Sequence, residues 1–373
     1  MNVLAYVHLR RLPRCTGVGR VIVELTERLA VRDDLDLRIL AERGDYDRVR
    51  DELSEGVRSI PMKFFSLETS WQQARWLMLH LPKAEEYWSG CDVVWCPAES
   101  YVPVRKARLA VTVHDVACFE KGFPSSRGRT LQRLKWSVLF RVLERRAAAI
   151  LTVSQFSAER IAHFFPGLAA RVHIVRHGVP EQFLGPVSAA GEAATGRLGL
   201  NGVPFVLVPG GLSYRKNAPL ILAAWALIGK KLPEVKLVVA GPSEAEWAGK
   251  AGEHGDSVRL LGYVGDETLH SLYSKAAVVW FPSRYEGFGM PVIEAMACGA
   301  PLVTTRAAAI PEVAGNAAVL LDPDQPGEHA EAILAFFQSS DLRNDYRRRA
   351  VERAAAFTWA QAVERLAAVL KGL

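Results

Sequence analysis

Two doubly wound, Rossmann-like α/β domains facing across a cleft are the predicted fold, and three observations predict it. The chain is 373 residues long, too long for one ordinary α/β domain and about right for two. Short runs of Val, Leu and Ile alternate with amphipathic stretches from end to end. Midway the alternation breaks and starts again, giving two βα series of similar size.

The first series places strands at residues 3–8, 37–40, 93–96, 109–114, 150–153 and 172–175. These runs are apolar on both faces, as parallel strands covered by helices require. Helices are predicted between them, among them 20–30 and 129–149. Residues 185–202 are rich in Gly, Ala and Ser and read as a mobile linker. The second series follows at 205–208, 236–240, 258–261, 277–281, 301–304 and 318–321. Thr358 and Gln361 have the spacing of a capping box that opens a last helix. The expected division is therefore 1–184, linker 185–202, 203–356, and a terminal helix 357–373 crossing back to the first domain. Ligands in open α/β sheets bind beyond the carboxyl ends of strands. Two such domains facing each other would bring two ligands together, as a transferase requires.

Composition narrows the function classes. The chain is 50% hydrophobic and 23% charged, with a formal net charge of +6. That excess is modest and scattered, without the basic stripe or reading module of a nucleic-acid binder. An anionic small molecule or an anionic membrane surface fits better. Five cysteines form no CxxC pair and read as reduced thiols of a cytoplasmic protein. The first residues lack a basic n-region and read as a strand, not a signal peptide. No apolar run approaches the roughly 18 residues of a membrane span.

The most informative stretch is Trp280 to Gly299, read as strand, turn and helix. Gly287 and Gly289 let the backbone approach a ligand closely, and Pro291 suits the first turn of a helix. The free N–H groups of that turn suit a phosphate. Glu286 precedes the helix and Glu294 lies within it, and carboxylates accept hydrogen bonds from paired sugar hydroxyls. A bare Gly-x-Gly turn is more often an ordinary βα turn. Two Glu flanking Gly-Phe-Gly-Met-Pro are more specific. The arrangement resembles the signature of retaining glycosyltransferases of family four, whose fold is called GT-B. The resemblance implies that Glu286 contacts the donor sugar, that the amides of Gly287, Phe288, Gly289 and Met290 hold sugar and diphosphate, and that Glu294 binds the ribose.

Three further stretches carry candidates. Gly210-Gly211 leads to Arg215-Lys216-Asn217 after the first strand of the second series. Paired cations there would stabilise a departing diphosphate, although out of context they read as a solvated pair. Family members carry a similar run in which the Lys and a nearby Arg bind the diphosphate. Some have Arg where Gly211 stands, so Lys216 is a firmer candidate than Arg215. His114-Asp115 ends a strand. Similar enzymes have a His there that touches the donor sugar, and Asp115 reads as structural. Thr16-Gly17-Val18-Gly19 lacks the third glycine of a dinucleotide fingerprint. The resemblance makes it a loop near donor phosphate and acceptor, with Gly17 and Gly19 as candidates. Tyr263, after Gly262, is a candidate for the nucleotide base.

No Asp-x-Asp motif is positioned for a metal, and no cofactor is predicted. No residue stands out as a covalent nucleophile, so same-face transfer, with the leaving phosphate taking the acceptor's proton, is the expected mechanism. The expected partners are a nucleotide-sugar and a glycan or lipid-linked saccharide. Among donors, the loop, His-Asp and Arg-Lys-Asn elements look most like mannosyltransferases using GDP-mannose. The basic side of helix 129–149 reads either as a solvated face or as a peripheral contact with an anionic membrane. A sugar-nucleotide epimerase and a non-catalytic binder share the architecture, and assays of the reaction products separate them.

Overall fold

The computed structural model describes residues 1–12, 17–122 and 127–373, so Cys15 and Thr16 lie outside the described residues. Among the described residues thirteen strands form two sheets, and the strands pair with one another in parallel throughout. The first sheet contains β1 (Asn2–Tyr6), β2 (Asp36–Glu42), β3 (Met62–Phe65), β4 (Val93–Cys96), β5 (Arg108–Thr112), β6 (Ala149–Thr152) and β7 (Val172–Ile174). The second contains β8 (Phe205–Pro209), β9 (Lys236–Ala240), β10 (Val258–Gly262), β11 (Val278–Phe281), β12 (Leu302–Thr305) and β13 (Val319–Leu321). Their orders are β3-β2-β1-β4-β5-β6-β7 and β10-β9-β8-β11-β12-β13, the same winding used twice.

Each sheet owns a separate core. Leu4, Val94, Trp76, Val111 and Phe140 anchor the first, and Val206, Trp225, Val239, Trp280 and Phe336 the second. Central strands such as β4, β8 and β11 are buried at every position. That is why unbroken apolar runs marked them in the sequence.

The main unit boundaries lie a few residues from those expected. One unit takes Met1–Lys121, the chain from 127 to Gly178, and Trp359–Leu373, while Val179–Thr358 builds the other. The backbone N–H of Val179 donates to Phe357 O at 3.0 Å, tying the two ends of the second unit together. The Trp359–Lys371 helix packs on the Gly17–Ala30 helix of the first unit. Arg32–Glu364 and Lys371–Asp34 ion pairs decorate the rim of that contact, and exposed pairs of this kind contribute little.

The 185–202 stretch corrects the linker reading. It contains the Ala189–Arg197 helix, capped by Ser188 and packed on the Asp266–Lys275 helix. Thr195 Oγ1 donates to Ser271 Oγ at 2.6 Å. A side chain at Gly191 would lie 2.6 Å from Glu267 O, so the small residues serve close helix contact rather than mobility. β3 was not foreseen. It has four residues, mostly half-buried, and Lys63 interrupts its apolar run.

Candidate active site

The carboxyl ends of neighbouring strands β8 and β11 converge on one ionic cluster. After β8 the chain turns through Gly210 (φ +92°) and Gly211 (φ +76°), whose N–H groups both donate to Ala240 O. A Cβ on Gly211 would sit 1.8 Å from Pro242 O, so only glycine fits. Gly211→Ala is expected to destabilise the protein by about 2 to 4 kcal/mol, which thermal unfolding would report. The turn then delivers Arg215 and Lys216, and Asn217 (φ +63°) leads into the Ala218–Lys231 helix.

After β11 the chain carries Glu286, then Gly289 (φ +101°) at the start of the Met290–Ala297 helix, with Pro291 in its first turn. Arg215 donates to Glu286 Oε2 at 2.9 Å and Lys216 to Oε1 at 2.8 Å. Arg215 Nε also donates to Tyr285 O at 3.0 Å, and the N–H of Arg284 donates to Arg215 O at 2.9 Å. The Lys216 ammonium lies 4.5 Å from the centre of the Phe281 ring. One buried carboxylate, 6% exposed, thus holds two cations side by side.

Burial alone would push the Glu286 carboxyl up, but the charges of Arg215 and Lys216 outweigh it and hold it down at about 2. Glu286 is therefore a carboxylate throughout the neutral range. It can stabilise positive charge or accept from a hydroxyl, and it cannot serve as a general acid.

Glu294 lies in the Met290–Ala297 helix, also buried. Tyr273, buried on the Asp266–Lys275 helix, donates to Glu294 Oε2 at 3.0 Å and orients it. No sequence signal pointed to Tyr273. Phe288 packs edge-on against Phe357 at 5.8 Å, so Phe288 offers a ligand its main chain rather than its ring. Tyr263 follows Gly262 (φ +64°) and is 68% exposed at the carboxyl end of β10.

In the first unit, His114 lies two residues beyond β5. Its backbone N–H donates to the Glu99 carboxylate at 2.7 Å, and its Nε2 faces Pro97 O at 3.0 Å. A carbonyl partner requires a proton on Nε2, so in the neutral ring Nδ1 is an acceptor. Asp115 accepts the N–H of Ala117 at 3.0 Å and closes a turn. Burial, with His114 adding to it, pushes the pKa of His177 well down, and its ring lies 5.8 Å from that of His114. Glu99, which follows β4, was missed. Its placement just past a parallel strand, like that of His114, was the available signal.

Gly17 and Gly19 are corrected from loop to helix, because the Gly17–Ala30 helix begins at Gly17. A Cβ on Gly17 would meet nothing within 4 Å, so packing does not demand glycine there. Among the described residues no cluster of His, Cys, Asp or Glu is placed to hold a metal, and no helix is long and apolar enough to cross a membrane.

Comparison with known proteins adds two family matches. Residues 196–353 match the model described as glycosyl transferases group 1, and residues 15–183 match glycosyltransferase family 4. The chain is 27% identical over 358 residues to the O-antigen chain mannosyltransferase B of Escherichia coli, covering 92% of this chain and 93% of that protein. It is 32% identical over 230 residues to a D-inositol 3-phosphate glycosyltransferase of Catenulispora acidiphila, covering 57% and 54%. Among solved structures, Anabaena HepE in complex with UDP-glucose superimposes with a TM-score of 0.76 at 17% identity, over 100% of both chains.

Proposed function

The chain belongs to the glycosyltransferases of family four, and we propose that it moves mannose from GDP-mannose to a glycan or lipid-linked saccharide with retention of configuration. The observation that carries the reading is the Arg215–Glu286–Lys216 cluster at the mouth of β8 and β11. The two cations, with the N–H groups of Gly287 to Met290, would receive the donor diphosphate. Its charge grows as the glycosidic bond breaks, and fixed positive charge lowers that barrier. Glu294, steadied by Tyr273, would hold the ribose, Tyr263 the base, and His114 a hydroxyl of the donor sugar.

Glu286 is held by two cations and is a weak nucleophile, which supports same-face transfer without a covalent intermediate. The acceptor hydroxyl attacks as the nucleotide departs, and its proton goes to the leaving phosphate. The same cations perform the work a metal does in other transferases, so we propose a metal-independent reaction. Anomeric analysis of the product by NMR tests retention. A glycosyl-enzyme adduct trapped with donor would overturn the direct route.

GDP-mannose is favoured by the mannosyltransferase relative. A second reading, UDP-glucose, is favoured by the donor bound to HepE. A panel of GDP-, UDP- and ADP-sugars decides between them. The true donor at 100 times its Kd is expected to stabilise the protein by about 2.7 kcal/mol, a shift of several degrees in Tm.

We place the enzyme in the cytoplasm, at the inner face of the membrane. The Arg127–Arg146 helix exposes Leu131 (67%), Leu134 and Val138 beside Arg133, Lys135 and Arg141. An apolar stripe flanked by cations suits an anionic bilayer. Sedimentation with anionic but not neutral vesicles, reduced by Leu131→Glu with Leu134→Glu, is the expected result.

A further inference from the structure

The loop that follows β13 grips the turn that carries Lys216. Asn217, the next residue, donates from Nδ2 to Pro323 O at 2.7 Å. Asp324 pairs with Arg284 at 2.6 Å, and the backbone N–H of Arg284 in turn holds Arg215 O. The Asp324 carboxylate is 65% exposed, so that pair contributes little. The Asn217 amide is fully buried, and its bond is the stronger arm.

Two observations mark Asn217 as more than the lead-in to a helix. Its backbone is left-handed at φ +63°, and its Oδ1 is buried without a hydrogen-bond partner. Both features cost free energy, and folded proteins keep them where the surroundings over-determine the conformation, chiefly at functional sites. Glycine would take the same φ freely. What glycine lacks is the amide that reaches Pro323.

The loop is itself anchored from a third element. His329, fully buried in the Pro326–Gln338 helix, has Nε2 3.0 Å from Asp322 O, and its Nδ1 accepts from Trp280 Nε1 at 3.1 Å. An indole N–H only donates and a carbonyl only accepts, so the ring is neutral with its proton on Nε2. Burial, against the opposing pull of Asp322, holds its pKa below the ordinary value and keeps it so. Trp280 lies on β11, the strand that leads to Glu286. A continuous path therefore runs from β11 through His329, Asp322-Pro323 and Asn217 to Lys216.

We infer that Asn217 and His329 are positioning residues: acting through the 322–324 loop, they fix the Lys216 ammonium where it meets the donor diphosphate. Neither side chain reaches the surface, so both act through Lys216 and not on the ligand. The inference rests on the transferase reading above and adds to it the parts that aim its cation.

Asn217→Gly keeps the turn and deletes the arm. His329→Leu deletes both bonds of the ring, whereas His329→Gln offers an acceptor and a donor with nearly the spacing of the two ring nitrogens. The experiment measures unfolding temperature, Kd for GDP, UDP and ADP by titration calorimetry, and single-turnover release of nucleotide from GDP-mannose or UDP-glucose. Each variant is made in the parent and on a Lys216→Met background. Asn217→Gly and His329→Leu should weaken nucleotide binding about three- to ten-fold and slow release about ten- to 100-fold in folded protein. His329→Gln should recover most of that loss. On the Lys216→Met background the same substitutions should change Kd by less than about two-fold, because the cation they aim has gone. Equal effects on both backgrounds, or unmoved Kd and rate in folded Asn217→Gly, overturn the inference. His329→Leu leaves Trp280 Nε1 without its acceptor; should that variant fail to fold, Asn217→Gly decides. A parent that binds none of the three nucleotides overturns the transferase reading instead.

Discussion

Glu286→Gln is expected to bind free nucleoside diphosphate about ten-fold more tightly than the parent while transferring sugar about 100- to 1,000-fold more slowly. The two effects arise from one carboxylate. Glu286 lies 2.9 Å from Arg215 and 2.8 Å from Lys216, and so competes with any diphosphate for both. Glutamine keeps the shape, and its one carbonyl oxygen can still accept from one of the two cations. What disappears is the negative charge that opposes an anionic ligand and balances the positive charge on the sugar as its bond to the nucleotide breaks. Isothermal titration with GDP and UDP, set beside single-turnover rates, separates the two. Weaker nucleotide binding in the variant would show that Glu286 supports the phosphate site instead of opposing it.

The second large effect is expected from Lys216→Met. Lys216 is the more buried of the two cations, and its stem fits against Gly210. Losing the ammonium should lower kcat/KM about 100- to 1,000-fold and weaken nucleotide binding about ten-fold or more, in a protein that remains folded. Glu286 then keeps only Arg215, and its pKa should rise from about 2 toward the ordinary 4.5. The sign of the stability effect follows from that depression. In the parent, Glu286 favours the folded state above the unfolded carboxyl value, and this contribution is lost only as pH falls through about 2. The variant should therefore lose part of it at neutral pH. Comparing acid unfolding of the two proteins tests this directly.

Much of the architecture was legible because a buried parallel strand writes itself as an unbroken apolar run. β4 and β9 fall where those runs were marked. β3 escaped because an edge strand with Lys63 in it needs no such run. Residues 185–202 were misread for a different reason. Gly and Ala lower the entropy threshold for mobility, but they also let helices approach, and composition does not separate the two. The site was half legible. Glu286, Gly289 and Glu294 sit within one local stretch, where the resemblance to the family signature could single them out as candidates. The ion pairs from Arg215 and Lys216 span some 70 positions and exist because β8 and β11 are neighbours in the sheet. Tyr273 and Glu99 likewise reach their partners through packing, which a linear pattern does not record.

The return of Trp359–Leu373 to the first unit has a consequence for biosynthesis. Trp359, Val363, Leu366 and Leu370 are buried in the Trp359–Lys371 helix, and they cannot dock until the ribosome has made them, well after the rest of the first unit. At about 5 to 20 residues per second, the amino-terminal half waits on the order of ten seconds or more with the Gly17–Ala30 helix uncovered. A nascent chain stalled before residue 359 should recruit holdase chaperones, and supplying the terminal helix as a separate peptide should release them.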